Sequence, residues 1–120
     1  MGLLDRFRGS VARAGGALRG GSPDGQEARY LSEWVRARIG VEGYIEPKTM
    51  VTDVTVVLIA ADGEWTRRIV GERGAQRLAK DLRIPVYDVR KTGYPQRMRD
   101  YDARKRIAQR RAFEAELRDL

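Results

Sequence analysis

Val54-Thr55-Val56-Val57-Leu58-Ile59-Ala60, closed by Asp62-Gly63 and answered by Trp65-Thr66-Arg67-Arg68-Ile69-Val70, is the stretch on which the fold turns. The first run is apolar or β-branched throughout and so has no wet face, which predicts a central strand covered on both sides. Asp62-Gly63 is a turn dipeptide and reads as a two-residue hairpin loop. That loop length sets Ala60 opposite Trp65, Leu58 opposite Arg67 and Val56 opposite Ile69. In this register Trp65 shares a face with Leu58, Arg67 and Ile69 and belongs to the core.

Beyond the hairpin, Glu72 to Arg83 carries Ala75, Leu78, Ala79 and Leu82 at i, i+3, i+4 and i+7, the spacing of a helix with one buried stripe. Gly71-Glu72-Arg73-Gly74 ahead of it is a helix-entry turn. It lacks the Gly-Lys-Ser/Thr ending of a phosphate loop, and Glu72 would repel phosphate. Ile84 to Val89 is a short apolar strand reached by a crossover. Arg90 to Tyr94 forms a basic loop, and Pro95 opens a last helix that runs to Leu120.

On the N-terminal side, Gln26 to Ile39 reads as a helix with Ala28, Leu31, Trp34 and Val35 turned inward, Asp24 as N-cap and Gly40 as stop. Gly43 to Val51 is extended, and Pro47 marks it as an edge strand. The expected architecture is a single α+β domain over residues 26–120, a small mixed sheet in the order α-β-β-β-α-β-α with a C-terminal helix. Residues 1–25 form an appended, flexible N-terminal amphipathic arm. Its Leu3, Leu4, Phe7, Val11, Ala14 and Leu18 fall within an arc of about 100°, and the linker is Gly20-Gly21-Ser22-Pro23-Asp24-Gly25.

At 120 residues the chain has the size of one domain. With neither Cys nor His, thiol nucleophiles, thiolate–zinc sites, imidazole bases and histidine-held metals are excluded. No catalytic constellation, cofactor motif or metal site is read. Asp53, Asp62 and Glu64 lie near the hairpin ends, where turn chemistry explains them. No run approaches the ~18 apolar residues of a membrane span, and no secretory signal is recognisable. The expected location is cytoplasmic, with a membrane-peripheral one as the alternative.

The formal charge of +7 comes from 24 bases against 17 acids and is concentrated at the two ends of the chain. Residues 90–120 interleave Arg90, Lys91, Arg97, Arg99, Arg104, Lys105, Arg106, Arg110 and Arg111 with Tyr94 and Tyr101. Guanidinium groups bind phosphates in pairs of hydrogen bonds, and tyrosines stack on exposed bases. Nucleic acid is therefore the preferred anionic partner. The competing reading is a solvated helix that pairs its cations with Asp100, Asp102 and Glu114 and sinks Met98 and Tyr101 into the core. In the arm, Leu3, Leu4, Phe7 and Val11 with Arg6, Arg8 and Arg13 suit an anionic membrane surface or a partner groove.

Two resemblances add expectations. Gly25 to Tyr30-Leu31 through Pro85-Val86-Tyr87-Asp88-Val89 resembles, in its order of elements over about 65 residues, the αβββαβ core of restriction-endonuclease-like nucleases. The acids that hold Mg²⁺ in such nucleases would fall at Val57 and at Val70 and Glu72, so the resemblance implies a nuclease-like scaffold without its metal site. Thr52 to Leu58, Asp62 to Arg68, Ile84 to Val89 and Gly93-Tyr94-Pro95-Gln96-Arg97-Met98-Arg99-Asp100-Tyr101 resemble a family of small, uncharacterised actinobacterial proteins, some of which carry an automatic oxidoreductase label. This chain supplies no Gly-x-Gly-x-x-Gly unit, Cys pair or metal ligands for that chemistry. The expected function is a non-catalytic binding module for an anionic partner, preferentially nucleic acid, acting through the basic loop and last helix. A membrane-peripheral or scaffold role for the arm is the alternative, and an enzyme comes third.

Overall fold

The computed structural model describes residues 25–120, so the amphipathic arm, with Leu3, Leu4, Arg6, Phe7, Arg8, Val11 and Arg13, and the Asp24 cap lie outside the described residues. The elements are α1 (Gly25–Arg36), β1 (Glu42–Glu46), β2 (Thr55–Ile59), β3 (Trp65–Ile69), α2 (Gly71–Asp81), β4 (Val86–Asp88), α3 (Val89–Thr92) and α4 (Gln96–Arg118). The fold is α+β with a four-stranded mixed sheet in the order β3-β2-β1-β4. β1 and β3 are antiparallel to β2, and β4 is parallel to β1.

β2 is buried along its whole length because both faces of the sheet are covered. On one face Ala28, Leu31 and Trp34 of α1 and Ala75 and Leu78 of α2 close over Val56 and Leu58. On the other, Tyr44, Val57 and Ile59 meet Met98 at the start of α4, with Trp65, Val89 and Tyr94 packed around them. The alternation of one strand thus feeds two cores, as the unbroken apolar run requires.

Three local expectations are corrected. β1 is an interior strand, hydrogen-bonded to β2 on one side and β4 on the other. Pro47 lies just past its end, where no ladder bond is asked of it. The basic loop is partly helical: Asp88 Oδ1 accepts from Arg90 N–H at 2.9 Å and caps the one-turn α3, which Gly93 ends at φ 68. The hairpin loop holds three residues. Gly63 N–H donates to Ala60 C=O at 2.9 Å, Gly63 takes φ +94, and Ala60 N–H donates to Glu64 C=O at 2.8 Å. This is a four-residue turn, Ala60 to Gly63, that ends in a left-handed glycine.

The extra loop residue slips the register by one, so Ile59 faces Trp65, Val57 faces Arg67 and Thr55 faces Ile69. A one-residue slip moves a side chain to the other face. Trp65 therefore packs with Tyr44, Val57 and Ile59 beneath α4, away from Leu58.

The Gly71 turn serves as a helix entry. The N–H groups of Val70 and Gly71 both donate to Val54 C=O at 2.9 Å, and Gly71 adopts φ 73.

Candidate nucleic-acid interface

Among the described residues, α4 is held by its first turns. Met98 is buried against the sheet. Arg97 Nη2 donates to Glu42 Oε1 at 2.6 Å and Arg97 Nε to Ala60 C=O at 2.9 Å, spanning the ends of β1 and β2. The Trp65 indole N–H donates to Asp102 Oδ1 at 2.8 Å, and Arg104 Nη2 reaches Asp62 C=O at 2.9 Å. The hairpin tip lies so close under the helix that a Cβ on Gly63 would come within 2.0 Å of Arg97 C=O.

From Arg104 onward every residue is exposed except the half-buried Ala115. At 1.5 Å per residue the 104–118 segment projects about 22 Å from the body. Its sequence explains the departure, since Met98 is the one buried residue of α4 and no apolar stripe extends that contact.

Of the basic residues singled out in the sequence, the structure gathers Arg104, Lys105, Arg106, Arg110 and Arg111 on this projecting rod. Lys105, Arg106, Arg110 and Arg111 make no ion pair among the described residues. The intrahelical pairing expected for them is absent among the described residues: two of the acids are engaged elsewhere, and the exposed Glu114 makes no ion pair. Asp100 accepts from Gln96 Nε2 at 3.0 Å, and Asp102 is taken by Trp65. Arg99 bonds Gln96 at 3.0 Å near the helix base.

The remaining candidates belong to the body. Arg90 is clamped on Asp88, whose carboxyl the side-chain and backbone hydrogen bonds from Arg90 hold down to about 2. Lys91 is exposed on α3. The Tyr94 hydroxyl donates to Glu46 Oε2, and its ring packs at 6.4 Å from that of Tyr44. Tyr101 is half-buried, with the Arg104 and Lys105 cations 5.9 and 5.8 Å from its ring. Neither tyrosine offers a free face for base stacking.

Beneath the helix base lies a polar network that sequence reading missed, because its partners stand up to 55 positions apart. Arg67 donates twice to Glu46, at 2.9 Å each, and Thr55 Oγ1 donates to Glu46 at 2.5 Å. Tyr44 donates to Glu42 at 3.1 Å. Burial opposes ionisation of Glu46, but the hydrogen bonds from Arg67 and Thr55 outweigh it and hold the carboxyl below its ordinary value. The hydrogen bond from Arg97 does the same for Glu42. Burial, then the Glu42 carboxylate, push the Tyr44 phenol up, so it stays protonated and donating.

Because both folded carboxyl pKa values lie below the unfolded ones, the stabilisation is fully present above the ordinary carboxylate range of about 4.3. It is lost as pH falls through the depressed values. Acid titration followed by circular dichroism is expected to show Glu46→Gln starting less stable at neutral pH and losing less on acidification than the natural chain.

Arg97 and Arg110 differ in how far the fold depends on them. Arg97→Ala takes the cation from Glu42, which keeps the Tyr44 hydroxyl, and removes one of the two donors at Ala60 C=O. It is expected to cost about 1–3 kcal/mol in urea unfolding. Arg110→Ala, on the free rod, is expected to change stability by less than about 0.5 kcal/mol.

The acids near the hairpin serve separate ends. Asp62 Oδ1 accepts from Glu64 N–H at 2.9 Å, Glu64 pairs with Arg38 at 2.8 Å, and Asp53 accepts from Val54 N–H at 2.7 Å. At the positions matched to nuclease acids, Val57 and Val70 are fully buried and Glu72 is exposed on the first turn of α2. Among the described residues no helix is long and apolar enough to cross a membrane. Comparison of the chain with protein-family models, curated proteins and solved structures finds no match.

Proposed function

We propose that this protein is a non-catalytic binding module for a polyanion, preferentially nucleic acid, and that the projecting part of α4 is its binding element. One observation carries the reading. Five arginines outside the projecting segment are matched with acids, Arg38 with Glu64, Arg67 with Glu46, Arg68 with Glu27, Arg90 with Asp88 and Arg97 with Glu42, while Arg29, Arg36, Arg73 and Arg83 are exposed singly at separate places in the chain. The five cations of residues 104–111 stand exposed together within eight positions of one helix and make no ion pair among the described residues. Arg106 and Arg110 repel each other at i, i+4, and the five like charges are crowded into eight positions. Phosphates would relieve that repulsion and release their condensed counterions. The charge is also placed where a long polymer can reach it without meeting the body of the domain.

Fluorescence anisotropy of labelled nucleic acid across about 50–200 mM salt tests the reading. Five phosphate contacts predict a log–log slope of about −4 to −5. A flat slope, or no binding at the lowest salt, would overturn it.

A further inference from the structure

We infer that the polyanion is duplex DNA and that α4 enters its major groove. This rests on α4 being the polyanion-binding element, and it follows from how the cations are distributed around the rod. At 100° per residue, Arg106 and Arg110 lie on one flank of α4, and Arg104 and Arg111 lie about 100–160° round the helix on the other. Between the flanks, on the side turned away from buried Met98, come Ile107 and Glu114.

A helix lying on a single phosphate backbone needs cations on one side only. Cations on two flanks match two walls of phosphate with a groove floor between them. A bare helix with its side chains is about 10–12 Å across, and the major groove of B-form DNA is about 12 Å wide and 8.5 Å deep. The projecting segment, about 22 Å long, enters without steric conflict from the body, which ends near Arg104.

The other nucleic acids fit less well. The major groove of A-form RNA is deep and too narrow for a helix. Single strands are held mainly by stacking on open aromatic faces. Tyr94 is bound to Glu46 and Tyr44, and Tyr101 is half-buried beneath two cations, which leaves Phe113 as the exposed ring of α4.

The test uses the full chain and three probes of equal length: duplex DNA, duplex RNA and single-stranded DNA. Two double variants, R106A/R110A and R104A/R111A, each strip one flank. The expected result is duplex DNA bound about tenfold or more tighter than either other probe. Each double variant should weaken DNA binding by a similar factor of about ten and make the salt slope shallower by about two. Equal affinity for the three probes, or a preference for either RNA or single strands, would overturn groove entry. So would one double variant that is silent while the other removes all binding, the pattern of contact through one face. In these cases α4 remains a polyanion-binding helix. Absence of binding to every probe overturns both readings together.

Discussion

Replacing Arg104, Lys105, Arg106, Arg110 and Arg111 together by alanine is expected to weaken nucleic-acid binding by a factor of about 5,000 at low salt, from the loss of five charge-assisted contacts at about 1 kcal/mol each. Thermal unfolding should scarcely move. All five side chains are exposed, and of them only Arg104 makes a hydrogen bond to the body, at Asp62 C=O. Alanine is the best helix former, so the rod itself should be kept or slightly strengthened. The variant therefore separates the charge of α4 from its shape. If binding survived with its salt slope intact, the cations of residues 104–111 would have no part in it. Arg90 and Lys91 of α3 would then be the next to replace.

The largest loss of stability is expected from Gly63→Ala. The residue sits at φ +94, where a side chain is strained, and its Cβ would lie 2.0 Å from Arg97 C=O and 2.8 Å from Tyr101 Cβ. Neither neighbour can step aside, since Arg97 is fixed to Glu42 and Ala60 and the helix backbone is continuous. The left-handed strain of about 1–2 kcal/mol adds to an overpacking cost of about 1–3 kcal/mol. A total of about 3 kcal/mol or more is a large share of a small domain's stability. Gly93→Ala provides an internal comparison, because Gly93 has φ +68 but open space around the missing Cβ. At ψ 179 Gly93 lies in a region almost exclusive to glycine, so its substitution should show the conformational cost alone, about 1–3 kcal/mol. Equal destabilisation by the two substitutions in urea would mean that α4 does not press on the hairpin tip.

Much of the fold was legible in the sequence because its signals are local. The apolar run of β2 announced a strand covered on both faces, and the spacing of Ala75, Leu78, Ala79 and Leu82 announced α2, although Ala79 is exposed. The start of α4 after Pro95 followed from proline's fixed φ. The hairpin register was missed by one residue because Asp62-Gly63 suits both a two-residue loop and the left-handed end of a three-residue one. Which of them forms depends on the packing of the tip under α4, a contact 34 or more positions away. β1 was mistaken for an edge because Pro47 falls one position past the strand, within the error of any boundary read from sequence.

The candidate site was legible as composition and illegible as geometry. Arg90, Arg97, Tyr94 and Arg104 to Arg111 form one basic, aromatic stretch in the sequence. In space Arg97 and Tyr94 turn inward to Glu42 and Glu46, and the cations from Arg104 to Arg111 turn outward. The acids on β1 that divide them are half-buried, and nothing in their local sequence marks them as partners. Past Met98 the helix has no buried position, and that gap is the one sequence signal that α4 leaves the body.

The most direct measurement is nuclear magnetic resonance mapping of backbone amide shifts as the full chain is titrated with a short duplex DNA. Perturbations concentrated between residues 104 and 118, fading toward Met98 and the sheet, are the predicted result. Perturbations gathered instead along the groove between α2 and β4, lined by Lys48, Gln76, Val86 and Arg90, with α4 unmoved, would contradict the assignment of α4 as the binding element.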